Sequence, residues 1–264
     1  MLVDSHCHLD YFANDFDEVM ARAEAAGVTR MVTIATNVRK AHVYREIAER
    51  DPRVWFTVGT HPLHAGEEPD VTVDEIVALA QHPRCVGIGE AGLDYFYDKD
   101  PPEVQQAVFR TNIAAARITG LPLVIHARKA DDDMIAILRE EMAKGAFKAL
   151  LHCFSSGAEL ARAGVELGLY VSFSGILTFP KSEDIRAIAA EVPADRLLVE
   201  TDSPYLAPVP VRGKRCEPAY TAHTARVLAE VRGMDAAALA SLTTDNFFRL
   251  FDKAAALEKA GRGQ

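Results

Sequence analysis

The 264-residue sequence predicts an α/β protein folded as one (β/α)8 barrel of the TIM type, on three observations. Eight strand-length apolar runs alternate with helical patterns from one end of the chain to the other. The runs are almost continuously apolar, as strands buried on both faces of a parallel sheet must be. Polar residues with metal-ligating groups end at least five of these runs, spread over the whole chain, and only closure brings the first strand beside the eighth. A doubly wound open sheet is the alternative that the same alternation allows.

In chain order the strand candidates are Met1 to Leu9, Met31 to Thr36, Val54 to Thr60, Cys85 to Glu90, Leu121 to His126, Lys148 to Phe154, Leu169 to Ser174 and Arg196 to Asp202. Between them, Phe16, Val19, Met20 and Ala23 form an apolar helical stripe ahead of Gly27. Val104, Val108, Ile113 and Ala116 do the same ahead of Gly120, and each glycine stands where a helix C-cap belongs. The segment Pro204 to Tyr220 holds four prolines together with Arg212, Lys214 and Arg215, and reads as an irregular loop leaving the eighth strand at the end that carries the polar tips. Thr221 to Lys253 reads as helical packing on the outer layer, and Ala254 to Gln264 as a flexible tail. The whole chain, 1–264, is one domain in this reading.

Composition sets the bounds. A 49% hydrophobic and 25% charged chain has the balance of a soluble globular protein with ample material for a core. Its apolar runs fall far short of a membrane span, and no basic region precedes a hydrophobic one at the start, which predicts a cytoplasmic protein. Cys7, Cys85, Cys153 and Cys216 lie scattered with no C-x-x-C pair, against both a disulfide framework and a structural zinc site. A net charge of −9 disfavours wrapping of nucleic acid, because phosphate binding is driven mainly by Lys and Arg. A phosphate substrate stays open if bound cations reverse the local potential.

His6 and His8 stand two apart on a strand, so both face one side while Cys7 faces the other, and such a pair can chelate one metal. Glu90 closes a run containing Gly87 and Gly89, where absent side chains let neighbours approach, and a carboxylate can bridge two cations. His126 and His152 end the next two strands and suggest a second metal beside the first. Asp202 ends the eighth strand and would face His6 and His8 across the seam, as ligand and as proton acceptor. Glu200 shares its face and reads as support from the layer below. Burying these groups unpaired would cost several kcal/mol, and a divalent cation is the natural partner.

His61, at the tip of the third strand, is a candidate for substrate contact or acid catalysis, and Arg128 for holding a phosphate. The cluster Arg212, Lys214 and Arg215 reads equally as phosphate contact or solvated turn. His64 reads as an exposed loop histidine, and His42, His82 and His223 receive no active-site role. Cys7 and Cys153 are expected to face the helical layer as packing residues.

Seven segments in this order resemble the TatD family of metal-dependent hydrolases within the amidohydrolase-like barrels. They are Asp4-Ser5-His6-Cys7-His8-Leu9, Gly59-Thr60-His61-Pro62, Gly89-Glu90-Ala91-Gly92-Leu93-Asp94-Tyr95, Pro122-Leu123-Val124-Ile125-His126-Ala127-Arg128, Leu151-His152-Cys153-Phe154-Ser155, Glu200-Thr201-Asp202-Ser203-Pro204-Tyr205 and Asn246-Phe247-Phe248-Arg249-Leu250-Phe251. The resemblance implies one divalent ion on His6, His8, Glu90 and Asp202, and a second on Glu90, His126 and His152, with Glu90 bridging where related barrels use a carboxylated lysine. It implies magnesium- or manganese-dependent deoxyribonuclease activity, exonuclease-like and 3′ to 5′, while nitrogen-rich ligands also suit zinc. Cys216 departs from the family, whose members often carry asparagine before the Glu-Pro pair. The expected substrate is DNA, as single strands or ends, handled by a monomer without membrane contact. Hydrolysis of another ester, such as that of D-aminoacyl-tRNA, and an inactive barrel that binds nucleic acid or a partner are the alternatives.

Overall fold

The computed structural model describes residues 1–97 and 99–261. Eight parallel strands follow one another in chain order around a nearly closed barrel: β1 (Leu2–Cys7), β2 (Val28–Thr33), β3 (Val54–Val58), β4 (Cys85–Asp94), β5 (Leu123–Arg128), β6 (Ala149–Leu151), β7 (Tyr170–Phe173) and β8 (Leu197–Val199). The helices α1 (Phe16–Ala25), α2 (Ala41–Arg50), α3 (Val73–Ala80), α4 (Pro102–Thr119), α5 (Asp131–Lys144), α6 (Ala158–Glu166), α7 (Glu183–Glu191) and α8 (Thr221–Arg232) connect or cover them, followed by α9 (Ala236–Leu250) and α10 (Asp252–Gly261). The predicted single-domain barrel is the fold observed, and the open sheet is not.

Closure is made above the last ladder pairs. The Asp202 N–H donates to the His6 carbonyl at 2.9 Å and the His8 N–H to the Ser203 carbonyl at 2.8 Å, with a parallel bridge between Cys7 and Ser203. The seam therefore lies at the level of His6, His8 and Asp202.

The interior is filled by one side chain from each strand: Val3, Val32, Trp55, Val86, Val124, Leu150, Tyr170 and Leu198. Phe247, Leu250, Phe251 and Ala254 from the last two helices and their junction join the same cluster. Trp55 stacks on Phe247 at 5.8 Å and Phe247 on Phe251 at 4.5 Å. One mouth of the barrel is thus plugged with aromatic rings, leaving the strand tips at the other mouth for the site. The predicted tail is corrected here. From Ala254 to Gly261 the chain is helical, because Ala254 is buried against the plug, Leu257 packs on it and Arg30 pairs with Glu258. Residues 262–264 of that tail lie outside the described residues.

Boundaries moved at both kinds of strand end. β2 begins three residues before Met31, and β4 runs four residues past Glu90 to Asp94. β6 and β8 are only three residues long, and the chain leaves them into turns with left-handed backbone at Cys153 (φ 43°) and Asp202 (φ 62°). Gly27 and Gly120 take positive φ (80° and 70°) at helix ends as expected. Pro204–Tyr220 is irregular apart from a short 3-10 turn at Pro218–Tyr220.

Candidate metal centre

Around the open mouth the strand tips enclose a cavity of about 680 Å³. At its base five imidazoles and one further carboxylate, that of Asp202, gather around Glu90. Its Oε2 lies 3.3 Å from His6 Nε2 and 3.9 Å from His8 Nε2. Its Oε1 lies 2.9 Å from His126 Nδ1, 2.8 Å from His152 Nε2 and 3.4 Å from His61 Nε2. Asp202 Oδ1 completes the seam side, 3.6 Å from His6 Nε2 and 3.4 Å from His8 Nε2. The two seam histidines bring their Nε2 atoms to 3.4 Å from each other.

These seam distances test whether the residues suit a cation. Atoms about 2.1 Å from a shared tetrahedral centre lie roughly 3.4 Å apart. The spacings among His6, His8, Glu90 and Asp202 scatter around that value, and all four side chains present a nitrogen or a carboxylate oxygen. The donor set fits a divalent ion. A further group, His61, Glu90 and His126, and another, His6, His152 and Asp202, each bring ligand atoms within 4.8 Å of one another.

The local sequence explains the convergence. A bulge between Asp4 and Cys7 shifts the β1 register, so Val3 fills the barrel interior while Cys7, of the same parity, faces the helices with its thiol on the Val32 carbonyl at 3.4 Å. That turns His6 and His8 toward Glu90 and Asp202, with His8 on the cavity lining and His6 buried behind it. A side chain at Gly59 would run into the backbone of Gly89, so glycine there allows β3 and β4 to close beneath Glu90, whose N–H is held by the Ala35 carbonyl at 2.8 Å.

Outer carboxylates fix the rings. Asp94 Oδ2 lies 2.9 Å from His126 Nε2, and Glu200 Oε1 lies 3.2 Å from His152 Nδ1 while also accepting the Cys153 N–H at 2.8 Å. Each takes one ring N–H and leaves the other nitrogen aimed at Glu90. His61 is wired the opposite way: its Nδ1 accepts the Leu63 N–H at 3.0 Å, which places its own proton on Nε2, toward Glu90.

Electrostatics follow from this packing. Burial alone would push the Glu90 carboxyl up, but the imidazoles of His152, His61 and His6 and the hydrogen bond from His126 hold it well below the usual range. Burial also opposes charge on His152, yet Glu90 and Glu200 raise it well above an ordinary histidine. His126 and His8 are likewise raised against burial by their carboxylate neighbours, whereas burial prevails at His6 and His61 and lowers them. Asp202 stays low because the hydrogen bond from His8 and the imidazole charges outweigh its desolvation.

All eight site residues named from the sequence meet here: His6, His8, His61, Glu90, His126, His152 and Asp202 in the cluster, and Arg128 on the cavity wall. Two other expectations change, and one open alternative narrows. Cys153 faces the cavity instead of the helices, its Sγ 3.2 Å from Ser174 Oγ, because the left-handed turn breaks strand parity. His64 also lines the cavity, held by Glu67 at 2.8 Å. For the cluster Arg212, Lys214 and Arg215 the contacts favour the turn: Arg215 pairs with Asp15 at 3.0 Å and Arg212 lies over the Phe179 ring at 3.7 Å, while Tyr205 and Leu206 are the residues of this loop that line the cavity. Asp94 is the functional-site residue that sequence reasoning missed. Its even spacing from Glu90 along an extended strand was the available signal, hidden by ending that strand at Glu90.

Residues 3–252 match the family model described as TatD related DNase. The chain is 43% identical over 256 residues to the uncharacterized metal-dependent hydrolase YcfH of Escherichia coli K12, covering 95% of each. It is 35% identical over 245 residues to a protein of Escherichia fergusonii named 3′-5′ ssDNA/RNA exonuclease TatD, covering 91% of this chain and 94% of that one. Among solved structures, the TatD homologue YjjV of Escherichia coli superposes with a TM-score of 0.88 at 29% identity, covering 95% of this chain and 98% of that one.

Proposed function

This chain belongs to the TatD family of metal-dependent hydrolases, and from that premise we propose that it hydrolyses phosphodiester bonds of DNA from a strand end, with the help of two divalent ions for which Glu90 would be a shared ligand. The observation that carries this reading is the division of labour within one carboxylate: Glu90 turns Oε2 to His6 and His8 and Oε1 to His126 and His152. His6, His8, Glu90 and Asp202 would hold one ion, and Glu90, His126 and His152 the other. Magnesium, manganese or zinc, when bound there, would supply a water of lowered pKa and positive charge against the phosphate oxygens.

The protein's own groups do the rest. Asp202, kept ionised by the imidazoles beside it and partly open to the cavity, accepts the proton of the attacking water. His61 presents its Nε2–H, and Arg128 its guanidinium, to the phosphate as charge grows on it. A site recessed in a barrel mouth of an acidic protein admits a terminus or a single strand more readily than the middle of a duplex, and the exonuclease name of the 35% identical relative supports single strands and 3′ to 5′ polarity. No described helix is long and apolar enough to cross a membrane. The four free thiols support a cytoplasmic site of action, and we take the working form to be a monomer.

Linear and closed circular single strands of equal length distinguish the mode of attack. We expect cleavage of the linear form alone, abolished by EDTA; equal rates on both would refute the end requirement. Glu90→Ala should lower turnover about a thousandfold, and near-normal turnover with metal present would refute the shared-carboxylate arrangement. Cleavage of an aminoacyl-tRNA ester with none of DNA would move the substrate to the other ester class.

A further inference from the structure

Two pairs of exposed aromatic side chains stand at the rim of the cavity, and the chemistry above uses neither. Tyr11 follows β1 and Tyr205 follows β8. Their rings meet edge to face at 5.9 Å, the Tyr205 hydroxyl donates to the Tyr11 hydroxyl at 3.0 Å, and both rings pack edge to face on His8. Phe96 and Tyr97 follow β4 and meet edge to face at 5.1 Å, with the Arg128 guanidinium 4.0 and 4.8 Å from their centroids. Tyr11, Phe96, Tyr97 and Tyr205 are 56%, 52%, 56% and 49% exposed, among the few large apolar side chains so open. In an eight-stranded barrel taken in chain order, the β8/β1 seam and the β4/β5 pair lie opposite each other, so the two aromatic pairs face one another across the Glu90 cluster.

Both pairs are held in place. Arg215 donates to the Tyr11 carbonyl at 2.6 Å while pairing with Asp15 and covering the Phe12 ring. Arg215 thereby braces an aromatic residue at the rim. Across the mouth, Asp94 Oδ1 accepts the N–H groups of Phe96 and Tyr97 at 3.0 and 3.2 Å, and its other oxygen orients His126.

Charge points to what these faces are for. Among the described residues Arg128 is the single Lys or Arg on the cavity lining, in a chain of net charge −9, so a polyanion finds little here to hold its other phosphates. Bases offer an alternative grip, because every base has a π face and stacking tolerates any sequence. We propose that Tyr11/Tyr205 and Phe96/Tyr97 are stacking platforms for nucleobases on either side of the reacting phosphodiester of a single-stranded nucleic acid. Bases stacked and paired within a duplex are closed to such platforms, so they also select single strands. The inference rests on the phosphodiesterase reading.

The test uses the metal-loaded protein and two single-stranded deoxyoligonucleotides of equal length and charge, one with abasic spacers flanking the linkage to be cut. The wild-type protein should show a KM about tenfold or more higher on the abasic strand. Tyr205→Leu, and Phe96→Ala combined with Tyr97→Ala, should each raise KM on the normal strand about tenfold and hardly alter it on the abasic one, while Tyr205→Phe keeps the wild-type value. Unchanged melting temperatures would show the variants folded, and the abasic comparison needs no variant. Cleavage of both strands with equal KM overturns the platforms and leaves the phosphodiesterase standing. Cleavage of neither with Mg²⁺, Mn²⁺ or Zn²⁺ overturns both.

Discussion

His126 illustrates how single residues divide the work of the site. One ring nitrogen meets Glu90 and the other meets Asp94, each at 2.9 Å, so the outer carboxylate decides which nitrogen is free for a cation. Asp94→Asn keeps the shape and loses that preference. It should weaken metal binding about 10- to 100-fold, read by calorimetric titration, and unchanged affinity would remove Asp94 from the machinery. Protons and metal also compete here. The folded-state values of His8, His126 and His152 are raised by the neighbouring carboxylates against the effect of burial, so these rings keep their protons to higher pH than free histidine. An ion needs them neutral, so binding should release protons and apparent affinity should rise with pH through the range in which they titrate. Titrations in buffers of different ionisation enthalpy count those protons; zero release would contradict this. The candidate ligand residues were legible because imidazoles and carboxylates ending apolar runs are costly without a partner. Asp94 and the aromatic rim were not, since both depend on where the chain goes after the predicted strand end.

At the scale of elements, the existence and order of all eight strands could be read from apolar runs, while their ends could not. β6 and β8 stop at Leu151 and Val199 because the chain turns away to deliver His152 and Asp202, and no periodicity records such a turn. The last helix was missed for a related reason. Leu257 is the one large apolar side chain of that helix, but it and Ala254 find the plug formed by Phe247, Leu250 and Phe251, and tertiary packing outweighs weak local pattern. Phe251 is fully buried there. Phe251→Ala should destabilise the fold by about 3 to 5 kcal/mol, seen as a lower denaturant midpoint with unchanged slope, whereas a loss below about 1 kcal/mol would mean that the plug contributes little.

On the scale of the molecule, closure is what makes chemistry from scattered residues: β1 and β8, at opposite ends of the sequence, meet at the seam where His6, His8 and Asp202 converge. The same architecture sets a weak global attraction for a polyanion. With one Lys or Arg on the cavity wall among the described residues, log KM for a single strand against log salt should have a slope of magnitude near 1, about 0.7 per phosphate neutralised. A slope above about 4 would indicate a hidden basic track. Anomalous diffraction at the metal edge, from crystals soaked in Mn²⁺ or Zn²⁺, tests the central claim most directly. Two peaks flanking the Glu90 carboxylate, one beside His6, His8 and Asp202 and one beside His126 and His152, are the predicted result; a single peak, or peaks away from Glu90, would contradict it.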